Sequence, residues 1–480
     1  MKLAELLEHI EILESTADPA LAISGISYDS RKTKPGDLFV AIKGFEADGH
    51  RFIPKAMANG AAAVLCEDAP TDGTPYVKIA DCRQGLAFAS RDFYGDPASR
   101  MKLVGFTGTS GKTSSTYILK HVLETKLGAK VGLIGTNGNM IGERLLHTEH
   151  TTPESLELHR LFKQMTDEGC THVVMEVSSH SLELRRVAGV DFDVAVFTNL
   201  SQDHLDYHKT FENYLNAKKQ LFSQCEIAII NRDDPYAERI QSGLTCPVFT
   251  TGIRTKADYS AANIDIKTSG VRFLLRTPTG ESSVQLHISG LFSIYNAMGA
   301  AALMQQAGFL QKDIVAGLES LSGVAGRLQS VDTNGMPFSV YIDYAHTPDA
   351  LENVLNAVRA FSKGRVLSLF GCGGDRDRAK RPLMGEIGGR HSDYVIVTSD
   401  NPRSEDPQAI VRTVEEGVRR SGTPYAAIVN RRDAIAYALS LLEPDDILVI
   451  AGKGHENYQE INGVKYHFDD KEIVEELLRQ

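Results

Sequence analysis

A chain of 480 residues is too long for one ordinary hydrophobic core, so we expect about three domains. Hydrophobic residues make up 42% of the chain and charged residues 24%, which is typical of a globular protein in water. The formal net charge of −11 argues against broad nonspecific binding to nucleic acid or to anionic membranes, so any phosphate recognition must be local.

The cysteines and the N-terminal residues indicate where the protein works. None of the six cysteines forms a C-x-x-C pair, so the sequence predicts neither a zinc knuckle nor a disulfide framework. The chain begins with MKLAELLEHIEILE, which predicts an amphipathic helix rather than a signal peptide, and no later run reaches membrane-spanning length. We therefore expect a cytoplasmic protein without membrane insertion.

Three blocks follow one another along the chain. Residues 1–98 mix short strand patterns such as GDLFVAI with helical ones and predict a small α/β domain. In residues 99–326, strands such as KLVGF, THVVMEV and DVAVFTNL alternate with helices, which predicts a mostly parallel, P-loop-type sheet with an antiparallel addition after Lys256. A second alternating series in residues 327–480 predicts a Rossmann-like α/β domain. Ligands of such open sheets bind at the carboxyl ends of the strands.

The strongest local pattern is a strand, a glycine-rich loop and a helix in LVGFTGTSGKTSSTYILKHVLETKLG. Backbone amides from Gly108 to Lys112 are predicted to cradle phosphate at the helix N-terminus, Lys112 to neutralise it and Thr113 to hold magnesium. The general G-x-x-x-x-G-K-[ST] pattern requires glycine where this chain has Phe106. A glycine turn followed by a chance Gly-Lys-Thr therefore stays an alternative.

Acidic and histidine side chains follow two further strands. Glu176 ends the apolar run THVVME, where a carboxylate needs a cation or strong hydrogen bonds; magnesium is one hypothesis and a salt-bridged core glutamate the other. After the strand DVAVF, Asp203, His204, Asp206 and His208 cluster in a loop. The spacing of the two histidines resembles a zinc helix, but the H-E-x-x-H motif and a third ligand are missing, which disfavours zinc.

The next helix contains an unusual lysine. Phe211, Leu215, Lys218 and Phe222 fall on one stripe, so Lys218 is predicted to point inward while Lys219 faces away. The alternative is a snorkelling lysine whose ammonium group reaches water. A cation cannot bind magnesium, so a functional Lys218 must contact phosphate or be converted into an anion.

A turn near the C-terminal end of the chain contains an arginine that turn chemistry does not explain. In VTSDNPRSEDPQAIV, Pro402 suits a tight turn and Asp406 before proline resembles a helix N-cap. Arg403 could pair at the surface with the neighbouring Glu405 or Asp406, or it could bind a ligand.

Ten motifs in one order resemble the Mur ligases of bacterial cell-wall synthesis: GTSGKT, HTTPES, MEVSSH, NLSQDHLDYH, YNAMGA, AGRLQ, DYAHTPDAL, GCGGDRDRAKR, DNPR and AGKGHENYQ. They are most similar to the branch that adds meso-diaminopimelate to UDP-N-acetylmuramoyl-L-alanyl-D-glutamate. The loop of this family is G-T-x-G-K-[ST], which accounts for Phe106.

The resemblance implies a UDP-binding domain at residues 1–98, an ATP-binding domain at 99–326 and an amino-acid-binding domain at 327–480. ATP would contact Gly108, Thr109, Ser110, Gly111, Lys112, Thr113, Asn296, Arg327, Asp343 and His346. The UDP-muramoyl dipeptide would contact Ser30, beside Arg31, and Thr151, Thr152, Ser178 and Arg186. Diaminopimelate would contact Arg376, Asp400, Asn401, Pro402, Arg403, Gly452 and Glu456.

The resemblance also implies the catalytic groups and the metal. Catalysis would rest on Lys112, His204 and Lys218, and magnesium on Thr113, Glu176, His204 and Lys218. Lys218 would react with carbon dioxide to give a carbamate, which resolves the charge problem. The chain departs from the family at Phe45 and Glu46, where relatives often have His-Gln, and at Leu184, where some have glutamine; these departures concern individual substrate contacts.

The implied reaction forms an amide through an acyl phosphate made from ATP, in a protein that we expect to be a monomer without a nucleic-acid partner. The nearest alternatives are an L-lysine-adding ligase of the same family and a ligase of the folylpolyglutamate synthase type. A regulatory P-loop NTPase is the alternative from another class. It would need an N-K-x-D motif, for which the nearest stretch is NRDD at 231–234.

Overall fold

The computed structural model describes residues 1–44, 47–146, 148, 150–321 and 323–479, with the backbone but not the side chain of Asp206. The departures at Phe45 and Glu46 lie outside the described residues. The chain divides into two compact units, Met1–Phe249 and Thr250–Gln480. The domain boundaries after residues 98 and 326 stay a prediction.

The first unit contains two sheets with helices between their strands. Its strands are β1 (Glu14–Ser15), β2 (Gly25–Ser27), β3 (Asp37–Val40), β4 (Ala63–Cys66), β5 (Tyr76–Lys78), β6 (Lys102–Thr107), β7 (Val131–Ile134), β8 (Asn139–Ile141), β9 (Arg144–Leu146), β10 (His172–Glu176), β11 (Phe192–Phe197) and β12 (Cys225–Asn231). Its helices are α1 (Leu3–Leu6), α2 (Ile53–Ala58), α3 (Cys82–Phe93), α4 (Lys112–Leu127), α5 (Ser155–Asp167), α6 (Ser179–Glu183), α7 (Leu205–His208), α8 (Phe211–Lys219) and α9 (Ala237–Gln241).

The smaller sheet has the order β1-β5-β4-β3-β2, in which only β1 is antiparallel to its neighbour. In the larger sheet β12, β11, β6, β10 and β7 are parallel, and β8 and β9 continue from β7 as antiparallel strands. The middle strands are continuous apolar runs because helices cover both faces of a parallel sheet. This confirms the mostly parallel α/β class.

Strand register brings three predicted segments to one edge of this sheet. Glu176 at the end of β10 lies opposite Phe106 of β6, and Phe197 at the end of β11 lies opposite Thr107. The glycine-rich loop after β6, the end of β10 and the loop after β11 therefore meet where ligands bind in open α/β sheets.

The predicted N-terminal helix is shorter than its apolar pattern suggested. Helix α1 ends at Leu6, and Glu14 and Ser15 form β1 instead. Glu14 pairs with Lys78 of β5, and the Leu13 amide donates to the Lys78 carbonyl at 2.9 Å. Pairing with an existing strand edge outweighs helix propensity here because propensity differs by only about 1 kcal/mol or less per residue.

Strand β13 (Val248–Gly252) begins in the first unit and ends in the second. The remaining strands are β14 (Tyr259–Lys267), β15 (Gly270–Thr277), β16 (Gly280–Leu286), β17 (Gln329–Val331), β18 (Ser339–Asp343), β19 (Val366–Phe370), β20 (Tyr394–Val397), β21 (Tyr425–Ala427), β22 (Ile447–Ala451), β23 (Tyr458–Ile461) and β24 (Val464–His467). The helices are α10 (Leu291–Gln306), α11 (Gln311–Glu319), α12 (Pro348–Arg359), α13 (Lys380–His391), α14 (Pro407–Ser421), α15 (Arg431–Ser440) and α16 (Asp470–Leu477).

Strands β14, β15 and β16 form the predicted antiparallel addition. The later sheet has the order β17-β18-β22-β19-β20-β21 and is parallel except for β17. Strands β18 and β22 end side by side, with Asp343 opposite Ala451, so the residues that follow both strands meet at one edge. Within the described ranges, no helix combines the length and the apolar character needed to cross a bilayer.

Candidate active site

The glycine-rich loop connects β6 to α4 through a backbone that needs glycine. Gly108 and Gly111 have φ angles of 150° and 86°, which side chains other than glycine rarely adopt. A Cβ atom at Gly108 would lie 1.9 Å from the hydroxyl oxygen of Thr198. The loop leads into a helix of 16 residues that begins at Lys112, and such a helix N-terminus attracts anions.

The loop after β11 holds the glycine-rich loop in place. The amides of Thr109 and Ser110 donate to the carbonyl and the side-chain oxygen of Asn199, both at 2.9 Å. The Asn199 amide group donates back to the Ser110 carbonyl at 3.0 Å, and the Thr198 hydroxyl donates to it at 2.7 Å. The sequence analysis missed Asn199, although its place directly after a buried strand was a usable signal.

Two lysines converge on the first glycine of this loop. Lys112 Nζ and Lys218 Nζ each donate to the Gly108 carbonyl at 2.8 Å, and Lys112 also donates to the Thr109 carbonyl at 2.9 Å. Lys218 is only 1% exposed. The inward orientation is therefore confirmed, and the snorkelling alternative is wrong because the ammonium group ends on a buried carbonyl rather than in water.

The surroundings of Lys218 disfavour its charged form. Burial, and then the positive charge of Lys112, hold the pKa of Lys218 well below the usual value for a lysine. The Tyr214 ring lies 4.6 Å from Nζ, and the Tyr214 hydroxyl lies 3.0 Å from the hydroxyl of Thr109. A neutral lysine is a nucleophile, so this position can undergo chemistry that an exposed lysine cannot.

Glu176 at the end of β10 lies directly beside the glycine-rich loop and the start of α4. Its carboxylate accepts from the Thr113 hydroxyl and the Thr136 amide, both at 2.9 Å, and from the Thr136 hydroxyl at 3.2 Å. Among the described residues, these partners are hydroxyl and amide groups rather than a basic side chain, which contradicts the salt-bridged alternative. A hydroxyl and a carboxylate oxygen are ligands that suit magnesium.

The two histidines with zinc-like spacing have different partners. His204 has a φ of 53°, and its Nε2 lies 3.3 Å from a carboxylate oxygen of Asp203. The buried His208 instead places its Nε2 2.9 Å from the Ser179 hydroxyl. His204 also lies close to His180, with 4.8 Å between ring centroids. The His180 ring also contacts the His208 ring, with 5.4 Å between centroids, and the interpretation that disfavours zinc here stays a prediction.

Three residues predicted to contact the muramoyl dipeptide form one network beside Glu176. The Thr152 hydroxyl donates to the Glu176 carbonyl at 2.8 Å and lies 3.2 Å from the Ser178 amide, which donates to it. Arg186 donates to the Thr152 carbonyl at 3.0 Å and pairs with Glu154 at 2.8 Å. The network therefore links Arg186 through Thr152 to the backbone of Glu176.

The two other predicted dipeptide residues lie elsewhere in the first unit. The Thr151 hydroxyl lies 3.1 Å from that of Thr136, one step from Glu176. Ser30 is buried, and its carbonyl accepts from Asn59 at 2.8 Å. Arg31 next to it is 77% exposed and pairs with Asp29.

A cavity of about 390 Å³ is lined in part by residues that flank Ser30 in the sequence. Tyr28 and Lys32 line it together with Glu154 and Glu157. The Tyr28 hydroxyl donates to Glu157 at 3.0 Å. The sequence analysis missed Tyr28 and Lys32 as well. They lie two positions before and two positions after Ser30.

In the second unit, three predicted ATP residues surround Tyr344. The Arg327 guanidinium lies 5.3 Å from the Tyr344 ring centroid, and His346 Nδ1 lies 2.8 Å from the Tyr344 carbonyl. Asp343 accepts from the amides of Leu328 and Ala345 at 2.7 and 2.9 Å. Burial raises the pKa of Asp343, and the charge of Arg327 opposes this shift. Burial lowers the pKa of His346.

Asn296 is the predicted ATP residue on helix α10, where it is 6% exposed. Helix α10 is one of the most apolar helices of the chain, with mostly small and apolar residues on every side. The binding role of Asn296 stays a prediction.

The turn after β20 presents Arg403 in a defined orientation. Arg403 has a φ of 51°, its amide donates to the Glu460 carbonyl at 3.0 Å, and Nη1 donates to the Gly374 carbonyl at 2.8 Å. Nε lies 3.4 Å from a carboxylate oxygen of Glu460. Its side chain is 23% exposed, so part of the side chain is accessible. Gly373 lies close to both Arg403 and the exposed Arg376. A Cβ atom added at Gly373 would lie 2.9 Å from Arg403 Nη1 and 3.8 Å from Arg376 Cγ.

The surface pairs considered for Arg403 do not form. Glu405 pairs with the buried Arg381 at 2.8 Å, and the charge and hydrogen bonds of Arg381 hold the pKa of Glu405 down at about 2. Asp406 caps α14 by accepting from the Gln408 amide at 3.1 Å, as the sequence predicted. Arg403 is therefore not committed to either neighbouring acid.

Asp400, Asn401, Gly452 and Glu456 come together between the ends of β20 and β22. Asn401 donates to Glu456 at 2.8 Å, and Gly452 approaches so closely that a Cβ atom would lie 2.6 Å from an Asp400 carboxylate oxygen. Burial, and then the charge of Asp400, raise the pKa of Glu456. The fully buried Lys453 donates to Asn401 at 3.1 Å and lies 3.6 Å from Glu456. The sequence analysis missed Lys453, although it lies within AGKGHENYQ.

Three protein-family models match successive parts of the chain. They are the Mur ligase family, catalytic domain at residues 22–94, the Mur ligase middle domain at 106–304 and the Mur ligase, glutamate ligase domain at 326–454.

Full-length relatives carry one common name. A protein of Clostridium botulinum named UDP-N-acetylmuramoyl-L-alanyl-D-glutamate–2,6-diaminopimelate ligase is 47% identical over 95% of each chain. A protein of the same name from Caldanaerobacter subterraneus subsp. tengcongensis is 46% identical over 100% of this chain and 99% of the relative.

Solved structures share the fold. A structure of a ligase with that name matches with a TM-score of 0.74 and 35% identity, and covers 100% of this chain and 99% of the other. Mycobacterium tuberculosis folylpolyglutamate synthase, at 19% identity and a TM-score of 0.62, covers 77% of this chain and 92% of its own, which is a likeness of fold alone. The chain belongs to the Mur ligase family of ATP-dependent ligases.

Proposed function

We propose that the chain joins meso-diaminopimelate to the D-glutamyl side-chain carboxylate of UDP-N-acetylmuramoyl-L-alanyl-D-glutamate at the expense of ATP. The observation that carries this proposal is the similarity along the whole chain to ligases whose name contains both substrates. The partly exposed Arg403 side chain in the turn after β20 supports the choice of an amino acid with a second carboxylate.

Amide formation in water needs a leaving group better than oxide. The γ-phosphoryl group of ATP would pass to the substrate carboxylate, and the resulting acyl phosphate would be attacked by the amine to give a tetrahedral intermediate, then amide and phosphate. The amides of the glycine-rich loop and the ammonium group of Lys112 would stabilise the negative charge that develops on the transferred group. No side chain of the chain has to form a covalent intermediate.

Magnesium fits the side chains beside the loop. The Thr113 hydroxyl and the Glu176 carboxylate are oxygen donors already in contact, and the charge of Glu176 is not balanced by a basic partner among the described residues. We assign the magnesium ligands to Thr113, Glu176, His204 and a modified Lys218. A bound magnesium ion would neutralise phosphate charge.

Carbamylation of Lys218 would give Lys112 an anionic neighbour. Lys218 and Lys112 donate to the same Gly108 carbonyl, and burial and the charge of Lys112 lower the pKa of Lys218, which favours its neutral form. The neutral amine would attack carbon dioxide, forming an N–C bond and releasing one proton to solvent. The product is an anion beside Lys112, so the ammonium group of Lys112 gains a neighbour of opposite charge.

The remaining predicted residues supply substrate binding. We assign the UDP-muramoyl dipeptide to Ser30, Thr151, Thr152, Ser178 and Arg186, and ATP also to Asn296, Arg327, Asp343 and His346. Diaminopimelate is assigned to Arg376, Asp400, Asn401, Pro402, Arg403, Gly452 and Glu456. The three family-model matches support a division into UDP-binding, ATP-binding and amino-acid-binding domains at residues 1–98, 99–326 and 327–480.

We further propose that the enzyme works as a monomer in the cytoplasm, where ATP is available. The net charge of −11 disfavours nucleic acid as a partner. Light scattering of the purified chain with and without substrates measures the oligomeric state, and a dimer at micromolar concentration would contradict the monomer.

Phosphate release from ATP tests the function directly. Release should require magnesium, the UDP-muramoyl dipeptide and meso-diaminopimelate together, and mass spectrometry should detect the UDP-muramoyl tripeptide. Release that needs L-lysine instead would indicate the lysine-adding alternative, and release with a folate and glutamate the folylpolyglutamate type. Release that ignores both substrates would indicate a regulatory NTPase.

A further inference from the structure

A buried ion pair lies next to the ends of β20 and β22. Arg431 is the first residue of α15 and Asp470 the first residue of α16, and both side chains are 0% exposed. Arg431 donates twice to the Asp470 carboxylate, from Nε at 2.8 Å and from Nη2 at 2.7 Å. This fork geometry fixes the plane of the guanidinium group.

The other guanidinium contacts reach the backbone of the proposed amino-acid site. Nη2 donates to the carbonyl of Ala451 at 3.0 Å, and Nη1 donates to the carbonyl of Ser399 at 3.4 Å. Ala451 directly precedes Gly452, and Ser399 directly precedes Asp400. One planar group therefore connects the two strand ends at the residues before two predicted ligands of diaminopimelate.

Stability alone explains this arginine poorly. A cation in the first turn of a helix is unfavourable because the helix N-terminus carries partial positive charge. Buried ion pairs can often be replaced by apolar side chains of similar volume without loss of stability. Burial lowers the pKa of Arg431, but the charge and hydrogen bonds of Asp470, and then the charges of Asp400 and Glu456, outweigh this effect and raise it, so the guanidinium keeps its charge in this buried position.

We propose that Arg431 is a positioning residue of the amino-acid site. It sets the separation of Asp400 and Gly452 through the carbonyls of Ser399 and Ala451. Arg431 acts through these residues and does not touch the amino acid. The inference rests on the proposed function, because it refines the amino-acid site of that reaction.

Steady-state kinetics of Arg431→Met and Arg431→Lys test the proposal. Arg431→Met should raise KM for the amino acid at least about tenfold, which corresponds to about 1.4 kcal/mol. The KM for the UDP-muramoyl dipeptide should change less than about twofold, since its predicted ligands lie on other elements. Arg431→Lys keeps the charge without the fork and should recover part of the loss. If Arg431→Met does not fold, Arg431→Lys and Asp470→Asn carry the same comparison.

Arg365 and Asp446 provide a matched control in the same sheet. They pair at 2.6 Å, and they directly precede β19 and β22, at the opposite ends of the strands. Arg365→Met should lower the melting temperature without changing the KM for the amino acid. The proposal is overturned if Arg365→Met raises this KM as much as Arg431→Met, or if the Arg431 and Asp470 variants lose stability while this KM stays within about twofold.

The amino acid that the unsubstituted enzyme uses fastest serves as the probe for every variant. If that amino acid is L-lysine, the proposed function is wrong in its substrate, but the comparison between Arg431 and Arg365 still decides the role of Arg431. If it is meso-diaminopimelate and the Arg431 variants keep its KM, the function stands and the positioning role falls.

Discussion

Replacing Arg403 by alanine should remove the preference for meso-diaminopimelate. This amino acid differs from L-lysine by a second carboxylate, which the planar guanidinium can hold with two parallel hydrogen bonds. Hydrogen bonds to charged groups contribute about 1.5–3 kcal/mol each, so two correspond to about 3–6 kcal/mol.

The structure reduces this range. In the absence of ligand, Arg403 already contacts Glu460 at 3.4 Å and the Gly374 carbonyl at 2.8 Å, and a bound carboxylate has to compete with Glu460. A partly exposed pair of this kind is worth about 0–1 kcal/mol. We therefore expect the lower part of the range, a fall of about 10²–10³-fold in kcat/KM for meso-diaminopimelate.

The assay measures kcat/KM for meso-diaminopimelate and for L-lysine with the unsubstituted enzyme, Arg403→Ala and Arg378→Ala. The unsubstituted enzyme should prefer meso-diaminopimelate by orders of magnitude, and Arg403→Ala should lose this preference with L-lysine nearly unaffected. Arg378 is the control because its side chain is 74% exposed and pairs with Glu405 on the neighbouring loop. Comparable rates with both amino acids in the unsubstituted enzyme, or an equal loss for both in Arg403→Ala, would refute this account of the arginine.

The remaining predictions concern the phosphate loop and its surroundings. Lys218→Ala should lower turnover by at least about 10²-fold, and short carboxylic acids should partly restore it. The control Lys219→Ala should keep its activity. Full activity of the enzyme after depletion of carbon dioxide, with Lys218 unmodified, would contradict the carbamate. Thr113→Ala and Glu176→Gln should each reduce kcat by about 10²–10³-fold. Calorimetry without ATP should show nearly unchanged affinity for the UDP-muramoyl dipeptide. A variant with unchanged turnover would show that the substituted residue has only a structural role. Gly108→Ala should destabilise the fold by about 1–3 kcal/mol and abolish ATP-dependent phosphate release, because its Cβ has no space; a normal denaturation midpoint would show that the loop can move aside.

Much of the fold followed from sequence patterns because those patterns are local. The parallel strands are short apolar runs between helices, and β6, β10 and β11 were predicted from these runs alone. The prediction of a longer N-terminal helix was wrong beyond Leu6. Glu14 and Ser15 pair instead with β5, which lies more than 60 positions away in sequence. Periodicity contains no information about such a partner.

The candidate site divides in the same way. The sequence by itself located the glycine-rich loop, the acid at the end of β10 and the arginine of the turn after β20, since each depends on spacing within one segment. It placed Lys218 on an apolar stripe but did not decide between an inward and a snorkelling ammonium group. Only the tertiary structure decided that Lys218 and Lys112 donate to one carbonyl and that Glu176 accepts from the Thr113 hydroxyl. It also decided that Arg403 contacts Gly374 and Glu460 rather than the acids next to it in sequence. Gly108 and Lys218 are 110 positions apart, and their contact arises because parallel strands place the residues after their carboxyl ends at one edge of the sheet.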